Sequence, residues 1–304
     1  MSATNYPPKV ILTEVGPRDG LQNEKGVIPT AEKLAFINAL VESGVTRLEA
    51  GSFVSPKWVP QMADTAELFD QIKPKAGVRY IALVPNPKGL EIALQHPVKD
   101  IAVFTAASET FTKKNINRTI EESLSEIGQV LATAKQHGLW VRGYVSTCFA
   151  CPYEGAVKPE RVLEVAERLV QAGVDELSIG DTIGVANPKQ VESISAMLLE
   201  KIPEEKIALH FHDTRGTALA NVVAGLRMGI LKYDASAGGL GGCPYAPGAS
   251  GNLATEDLLN MLEGMGIDTG VNLEKLAQAS LAIGKTLGKA LPSKVLQAMA
   301  EKCI

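Results

Sequence analysis

The sequence has few aromatic residues, few cysteines and almost no net charge. Aromatic residues make up 5% of the 304-residue chain, too little for the stacking surfaces that bind single-stranded nucleic acid. Thirty lysines and arginines against 34 aspartates and glutamates leave a formal net charge of −4, so no overall field draws the chain to nucleic acid or to an anionic membrane. We therefore expect neither as a partner. Four cysteines do not form a disulfide framework in a chain this long and suit a reducing compartment.

Long apolar runs are also lacking. The longest uncharged stretch spans 235–255, but six glycines and two prolines interrupt it, whereas a membrane span needs about 20 predominantly apolar residues. The first ten residues, MSATNYPPKV, resemble neither a secretory signal nor an arginine-rich transit peptide. We therefore expect a cytoplasmic protein without a membrane span. The 45% of hydrophobic residues predicts a globular chain with a sizeable core.

Short runs rich in Val, Ile and Leu alternate with longer amphipathic runs, which favours βα units around a parallel sheet. Eight runs read as strands: Lys9–Glu14, Arg47–Ala50, Val78–Val84, Asp100–Phe104, Trp140–Val145, Glu176–Ile179, Ile207–Phe211 and Tyr233–Ala235. Eight parallel strands close a TIM (β/α)₈ barrel. Although the length alone would allow two domains, we predict one catalytic domain over 1–304, of class α/β. It consists of a barrel at 9–265 and a helical C-terminal cap at 271–304.

Local signals mark where the predicted helices begin and end. Thr30 can cap the first helix. Glycines stand where a left-handed C-cap is expected after four helical runs, the first included, at Gly44, Gly138, Gly173 and Gly229. The C-terminal cap is expected to break near Leu291-Pro292.

Two histidines close the seventh predicted strand. The period of two along a strand places His210 and His212 on one face and Phe211 on the other. In a TIM barrel the active site forms where strands end, so this pair predicts a metal site. The other two histidines, His96 and His137, lie at helix ends, where a structural role or solvent exposure is the better interpretation.

Other polar residues follow the predicted strands. Asp19 could supply an oxygen ligand to the same metal and Arg18 could stabilise an oxyanion, although a salt-bridged loop explains the pair equally well. Asn252 could add an amide oxygen or could be a turn residue. Cys243 lies in a glycine-rich loop after the eighth strand, from which a thiol could act as nucleophile or proton donor.

Three further features have a structural alternative. Glu49 and Asp181 at strand ends could contact the substrate or support the site, or could simply cap loops. Cys148 and Cys151 have C-x-x-C spacing, but no second pair completes a zinc site. We interpret these two cysteines as structural.

Four segments carry a resemblance to a known family: EVGPRDGLQNE at 14–24, SFVSPKWVPQM at 52–62, HFHD at 210–213 and GLGGCPY at 239–245. Together they resemble the hydroxymethylglutaryl-CoA lyases. The Arg-Asp-Gly and His-x-His elements alone would indicate only the wider metal-dependent superfamily, which includes isopropylmalate and homocitrate synthases. The Cys loop and the Ser-Phe-Val-Ser-Pro segment narrow the resemblance to the lyases.

The resemblance implies cleavage of 3-hydroxy-3-methylglutaryl-CoA to acetyl-CoA and acetoacetate, a reaction of leucine catabolism and ketone body formation. It implies Mg²⁺ or Mn²⁺ as cofactor and a homodimer or larger homo-oligomer. The implied metal ligands are Asp19, His210, His212 and Asn252.

The resemblance also implies catalytic roles. Arg18 would hold the enolate oxygen, Cys243 would protonate the departing acetyl-CoA carbanion, and either Asp19 or His210 would accept the hydroxyl proton. Residues expected to contact the substrate or to support these groups are Gln22, Glu49, Ser52, Asp181 and Glu256. The chain departs from the family pattern at Phe211, which should face away from the metal, and at Arg215, which adds charge near the rim. Arg215 leaves open a longer 3-hydroxyglutaryl-CoA as substrate.

Binding of the CoA phosphates needs a local basic patch, for which Lys285, Lys289 and Lys294 are candidates, although exposed lysines on a helix are usually a solvated face. Cys303 does not align clearly with the regulatory cysteine of the animal enzymes, so redox control is not carried over from them.

Three other functions are compatible with parts of the pattern. A synthase that condenses acetyl-CoA with a 2-oxo acid usually carries a regulatory domain, for which 304 residues leave no room. An amidohydrolase-type metal hydrolase places its His-x-His at the first strand rather than the seventh. A non-catalytic acyl-CoA-binding paralogue would not need every candidate catalytic residue.

Overall fold

A closed barrel of eight parallel strands forms the centre of the molecule in the computed structural model, which describes residues 6–242 and 251–301. Going around the barrel, the strands follow the order β1-β10-β9-β8-β5-β4-β3-β2. Their bounds are β1 Ile11–Glu14, β2 Arg47–Ser52, β3 Arg79–Leu83, β4 Asp100–Ala106, β5 Trp140–Ser146, β8 Glu176–Asp181, β9 Ile207–Phe211 and β10 Lys232–Ala235. The remaining two strands, β6 (Ala150–Cys151) and β7 (Gly155–Ala156), form a small antiparallel hairpin in the loop after β5.

Helices connect the strands and cover the barrel. Those before the end of the barrel are α1 Thr30–Glu42, α2 Thr65–Gln71, α3 Pro87–Ala93, α4 Glu109–Ile116, α5 Ile120–Gln136, α6 Pro159–Ala172, α7 Pro188–Leu199, α8 Ala218–Arg227 and α9 Thr255–Gly264. Two helices follow, α10 Leu273–Leu287 and α11 Lys294–Glu301. None of the helices in the described ranges is both long and apolar enough to cross a membrane.

The structure confirms the predicted barrel, and each barrel strand lies within two residues of its predicted bounds. β1 starts later than predicted because Lys9 makes only an isolated bridge, to Asp268. β2 and β8 each continue two residues further than predicted. These additional strand residues place Ser52 and Asp181 at the C-terminal end of the barrel.

Helix ends follow the sequence signals with one exception. All four predicted C-cap glycines have positive φ, at 106° for Gly44, 66° for Gly138, 105° for Gly173 and 86° for Gly229. The prediction that Thr30 caps α1 is wrong. The helix begins at Thr30 itself after Pro29, and the Thr30 hydroxyl donates instead to an Asp64 carboxylate oxygen at 2.9 Å.

The C-terminal helices pack on the start of the barrel. α10 lies against α1, where Leu276 and Ile283 are buried. The chain then breaks between α10 and α11, as the Leu291-Pro292 signal predicts. Leu291 packs against Gly238, whose φ of 66° and contact with the leucine leave no room for a side chain. The C-terminal cap therefore supports the glycine-rich segment 236–242 that follows β10.

Candidate active site

The turn at 16–20 carries Arg18 and Asp19 directly after β1. Glu14 starts this turn by accepting a hydrogen bond from the Gly16 amide at 2.7 Å. A side chain at Gly20 would collide with Leu240, since a Cβ there would lie 2.8 Å from the leucine Cβ. The turn is therefore packed tightly under the glycine-rich segment, which fixes where its two charged side chains point.

Two imidazoles meet the Asp19 carboxylate at the end of β9. The rings of His210 and His212 have centroids 5.2 Å apart. Ligand atoms of Asp19, His210 and His212 all lie within 4.8 Å of one another, so the three residues could hold a metal ion. We refer to these three residues as the metal-ligand cluster. Phe211 faces the other way and packs against Phe149, with ring centroids 6.3 Å apart.

Asn252 borders the metal-ligand cluster. Its side-chain amide donates to an Asp19 carboxylate oxygen at 2.8 Å and to the Leu240 carbonyl at 3.1 Å. Its own side-chain oxygen is buried and finds no hydrogen-bond partner within 6–242 and 251–301, and the same holds for Nδ1 of His212. Buried polar atoms are rarely left unpaired, so these orphaned acceptors, together with a carboxylate and two imidazoles, fit a divalent cation.

The electrostatics keep Asp19 and His212 in forms that can bind a cation. Burial acts to raise the pKa of Asp19, but the Arg18 guanidinium and the two imidazoles outweigh it and lower that pKa. Burial, with the adjacent His210, lowers the pKa of His212 to about 4. For His210, burial acts to lower the pKa, but the carboxylate of Asp234 raises it overall. An ionised carboxylate and a neutral His212 are the forms that ligate metals.

Arg18 lies between two carboxylates. Its Nε donates to Glu49 at 2.6 Å, and its Nη1 donates to Asp19 at 2.6 Å. Tyr144 completes the arrangement by donating its hydroxyl to the other Glu49 oxygen at 2.8 Å. Glu49 is fully buried and Arg18 is 6% exposed, so the guanidinium is fixed in position with little water around it.

The other residues predicted to contact the substrate or to support the site make different contacts. Gln22 donates to Asp19 at 3.0 Å. The buried Ser52 hydroxyl has no hydrogen-bond partner among the described residues. Asp181 accepts from the amides of residues 185 and 186, both at 3.0 Å, which is the loop-capping role that its sequence position left open. Glu256 accepts from the Gly238 amide through both oxygens, at 3.0 and 2.8 Å.

The sequence reasoning missed a buried ion pair next to the cluster. Asp234 on β10 lies 3.2 Å from Nδ1 of His210 and accepts from Arg142 on β5 at 2.6 Å. Both charged side chains are 0–1% exposed. The available signal was a charged residue inside each strand, since barrel strands are buried on both faces and charges there need partners.

Several predicted features lie away from the cluster. Cys148 and Cys151 are buried thiols, and they contact the Val145 carbonyl and the Ser108 hydroxyl respectively. The structural interpretation of the C-x-x-C pair fits these contacts.

Arg215 also lies away from the cluster. It donates to two backbone carbonyls and lines a cavity of about 690 Å³.

The other two histidines also lie elsewhere. His96 contacts Asp70 at 2.9 Å, and His137 ends α5. Two predicted thiols, Cys243 and Cys303, lie outside the described residues.

The three candidate lysines of the C-terminal cap lie in different surroundings. Lys289 pairs with Glu24 at 2.6 Å. It lines a cavity of about 540 Å³ together with Lys25, Gly241 and Gly242. Lys285 lines a neighbouring cavity on α10, and Lys294 begins α11. Of the three, only Lys289 therefore reaches the cavity beside the glycine-rich segment.

Comparisons with known proteins agree with this geometry. The HMGL-like family model matches residues 9–283. A hydroxymethylglutaryl-CoA lyase of Bacillus subtilis is 53% identical over 292 residues, which cover 96% of this chain and 98% of the relative. The crystal structure of the B. subtilis HMG-CoA lyase matches with a TM-score of 0.95 at 52% identity, covering 97% of this chain and 99% of that one.

Two further relatives bear on the substrate. A Pseudomonas aeruginosa protein is named 3-hydroxy-3-isohexenylglutaryl-CoA/hydroxymethylglutaryl-CoA lyase. It is 50% identical over 298 residues, which cover 98% of this chain and 99% of the relative. An Acinetobacter baumannii HMG-CoA lyase in complex with coenzyme A and 3-methylmalate matches with a TM-score of 0.92 at 39% identity, covering 98% of this chain and 97% of that one.

Proposed function

Because the chain belongs to the hydroxymethylglutaryl-CoA lyase family, we propose that it cleaves 3-hydroxy-3-methylglutaryl-CoA to acetyl-CoA and acetoacetate. Family membership makes it a carbon–carbon lyase. The observation that carries the proposal is the meeting of the metal-ligand cluster with the buried, doubly paired Arg18 at one end of the barrel. That end is where TIM barrels place their chemistry.

Asp19, His210, His212 and Asn252 would hold a divalent cation, which we propose to be Mg²⁺ or Mn²⁺. Two oxygen and two imidazole ligands suit these ions better than they suit Cu⁺ or a structural zinc site, which favour thiolates. When bound, the cation would make the 3-hydroxyl of the substrate more acidic and would balance the charge of its carboxylate.

The chain's own groups would carry the bond cleavage. Asp19 or His210 takes the proton of the 3-hydroxyl, and the C2–C3 bond breaks as C3 becomes the ketone carbon of acetoacetate. The electron pair of that bond stays on C2 as the enolate of the acetyl thioester. Arg18, held by Glu49 and Asp19, stabilises the developing charge on the enolate oxygen.

Cys243 would then protonate C2 to release acetyl-CoA. This role comes from the resemblance of the Cys loop, and the residue lies outside the described part of the chain. The described residues on either side support it, because Gly251 accepts a hydrogen bond from the Asp213 amide beside the histidine pair and Asn23 donates to the Gly242 carbonyl. Gly242 and Gly251, the described residues that flank the Cys loop in the sequence, thus lie beside the site.

Five residues would support these groups or contact the substrate. Contacts favour supporting roles for Gln22 on Asp19, Glu49 on Arg18 and Glu256 on the glycine-rich segment. Asp181 would hold the loop after β8. The hydroxyl of Ser52 has no partner in the part of the chain that the structure describes, which makes that residue the best candidate for direct contact with the substrate.

We propose that CoA lies along the cavity lined by Lys25 and Lys289, since Gly241 and Gly242 of the glycine-rich segment line it as well and the two lysines outnumber the one carboxylate there, Glu24, which pairs with Lys289. Lys285 lies nearby, and Lys294 at the start of α11 is the weakest of the predicted phosphate contacts. A homo-oligomeric state and a cytoplasmic location stay predictions of the sequence.

A product assay tests the proposal. Purified protein is incubated with 3-hydroxy-3-methylglutaryl-CoA and Mg²⁺, and acetyl-CoA and acetoacetate are quantified separately. Equal amounts of both products are expected. No cleavage, or a condensation of acetyl-CoA with a 2-oxo acid in the same preparation, would contradict it.

The acyl group is a second question, because the P. aeruginosa relative is named for a longer substrate as well. The same assay with 3-hydroxy-3-isohexenylglutaryl-CoA compares kcat/KM for the two acyl groups. We expect the methyl substrate to be preferred. A higher kcat/KM for the isohexenyl substrate would move the assignment to the longer 3-hydroxyglutaryl-CoA.

A further inference from the structure

Asp234 lies at the centre of a buried set of polar contacts next to His210. One carboxylate oxygen accepts from Arg142 at 2.6 Å, and the other accepts from the Ser178 hydroxyl at 2.8 Å and faces Nδ1 of His210 at 3.2 Å. Asp234, Arg142 and Ser178 are 0–1% exposed. They come from three different strands, β10, β5 and β8, so the barrel itself fixes the arrangement.

Asp234 can only accept hydrogen bonds in this position. Arg142 is a permanent cation that donates to one Asp234 oxygen at 2.6 Å, and the Ser178 hydroxyl donates to the other at 2.8 Å, so Asp234 is held here as a carboxylate. An ionised carboxylate has no proton to donate. Whatever ring nitrogen faces Asp234 must therefore carry a hydrogen.

For a neutral His210 this means that Nδ1 carries the hydrogen and Nε2 keeps its lone pair. The His210 ring has little freedom to rotate away from this arrangement, because Tyr144 packs edge-on against it with ring centroids 6.2 Å apart. His212 differs, since its Nδ1 has no partner among the described residues. The two histidines of the cluster are therefore held in different ways.

We propose that Asp234 is a positioning residue that holds His210 in the Nδ1–H tautomer and turns the Nε2 lone pair toward Asp19 and His212, with Arg142 and Ser178 fixing Asp234. This inference rests on the metal-binding role that the proposed function gives His210. Nothing in the proposed reaction requires Asp234 to touch the substrate. Its effect passes through the orientation of a ligand, as is usual for carboxylates behind metal-bound imidazoles. Because a His210 with a hydrogen on Nδ1 and its Nε2 lone pair on the cation has no lone pair left, it follows that Asp19 rather than His210 accepts the hydroxyl proton.

The Asp234→Asn variant should reverse the tautomer. The carboxamide has one oxygen, which Arg142 requires because a guanidinium only donates. The amide NH₂ must then face His210, so Nδ1 becomes an acceptor and the hydrogen moves to Nε2. A hydrogen on Nε2 would block metal ligation through that nitrogen.

The direct test is a ¹H–¹⁵N correlation spectrum of the histidine rings in chelator-treated wild-type protein, recorded at increasing pH until the ring signals of His210 no longer shift. The His210→Gln variant assigns its signals. We expect the Nδ1–H pattern in wild type and the Nε2–H pattern in Asp234→Asn. The Nε2–H pattern in wild type would overturn the proposal, even if the variant fails to fold.

Mn²⁺ affinity, measured by electron paramagnetic resonance, gives the second readout. Asp234→Asn should weaken Mn²⁺ binding by about 10- to 100-fold. The control is Asp100→Asn on β4. It removes a partly buried carboxylate that pairs with Arg79 and is not in contact with the cluster. The Mn²⁺ affinity of this variant should equal that of wild type. Equal affinity in a folded Asp234→Asn protein would overturn the inference alone, whereas a wild type that binds no Mn²⁺ would contradict the proposed function as well.

Discussion

At the scale of single residues, the site contains buried charges, and removing the partner of one would lower the free energy of unfolding. Arg18 is nearly buried between Glu49 and Asp19. Removing one partner of a buried ion pair leaves an uncompensated charge and costs roughly 3–5 kcal/mol. A substitution at Arg18 therefore tests stability and chemistry together, and the two effects must be separated.

The Arg18→Gln variant should lose turnover. Loss of one preorganised oxyanion donor lowers kcat by about 10²–10³-fold, and the unpaired Glu49 should lower the free energy of unfolding. The double variant Arg18→Gln/Glu49→Gln removes the unpaired charge, so it should recover stability but not turnover. Steady-state kinetics and urea unfolding measure both quantities.

The control for this prediction is Arg168→Gln, which removes an exposed arginine on α6 paired with Glu121. Exposed pairs contribute little, so its kinetics and stability should match wild type. Recovery of turnover in the double variant would show that Arg18 acts only by neutralising Glu49.

The Cys243→Ser variant should lower kcat by about 10²–10⁴-fold, because a serine hydroxyl is a much weaker acid than the thiol proposed to donate the proton. Its Mn²⁺ affinity should not change, since the thiol is not among the proposed ligands. Cys303→Ser is the matched control and should keep wild-type kinetics. Unchanged turnover in Cys243→Ser would remove the proposed proton donor.

At the scale of elements, buried carboxylates join the loops that carry the catalytic groups. Glu14, at the end of β1, accepts from the amides of Gly16 at 2.7 Å and Ala237 at 2.8 Å and from the Thr255 hydroxyl at 2.7 Å. It therefore ties the Arg18 turn to the glycine-rich segment and to the first turn of α9. Glu256 holds the same segment from the other side.

The tie through Glu14 should make stability depend on pH. Burial raises the pKa of Glu14 from its ordinary 4.5 to about 7, so the folded state keeps a proton that the unfolded chain has already lost. The contribution of Glu14 to the free energy of unfolding is therefore fully present below pH 4.5 and is lost as the pH rises toward 7.

Glu14→Gln keeps an oxygen for both amides and an NH₂ for Thr255, but cannot ionise. The variant should match wild type near pH 4.5 and be more stable by roughly 3 kcal/mol at pH 8, at about 1.36 kcal/mol per pKa unit. Urea unfolding across this pH range measures the difference. A constant difference, or a variant less stable at pH 8, would show that Glu14 is ionised in the fold at no cost.

The accuracy of the sequence predictions differs between elements for physical reasons. Val/Ile-rich strands are encoded locally, and helix-Gly joints mark the start of four of them, so all eight barrel strands could be predicted. The hairpin β6–β7 has only two residues per strand, too few to show any periodicity. The ion pair of Arg142 and Asp234 joins residues 92 positions apart, a distance at which one sequence gives no sign of pairing, although each charge inside a strand could have been noticed.

At the scale of the whole molecule, the C-terminal cap is packed as part of the barrel's outer layer. α10 buries Leu276 completely while Leu281 on the same helix is 46% exposed. The Ser43 carbonyl after α1 accepts from the Asn272 amide at 2.7 Å, and Leu291 supports Gly238. We therefore expect the cap and the barrel to unfold together as one domain.

The Leu276→Ala variant should lower the free energy of unfolding by about 2–5 kcal/mol, because it leaves a cavity between α10 and α1. The loss should shift a single cooperative transition in scanning calorimetry. Leu281→Ala, on the exposed face of α10, should stay within about 0.5 kcal/mol of wild type. An early separate transition in Leu276→Ala would show that the cap is an independent unit.

The central claim is that cleavage of the substrate takes place at a divalent cation held by the metal-ligand cluster. The most direct measurement is acetoacetate formation by chelator-treated protein titrated with Mn²⁺, with bound Mn²⁺ followed in the same samples by electron paramagnetic resonance. The account predicts no product before Mn²⁺ is added, a rate that rises in proportion to site occupancy, and loss of both binding and turnover in His212→Ala. Full turnover by the chelated protein, or no turnover when the site is filled, would contradict it.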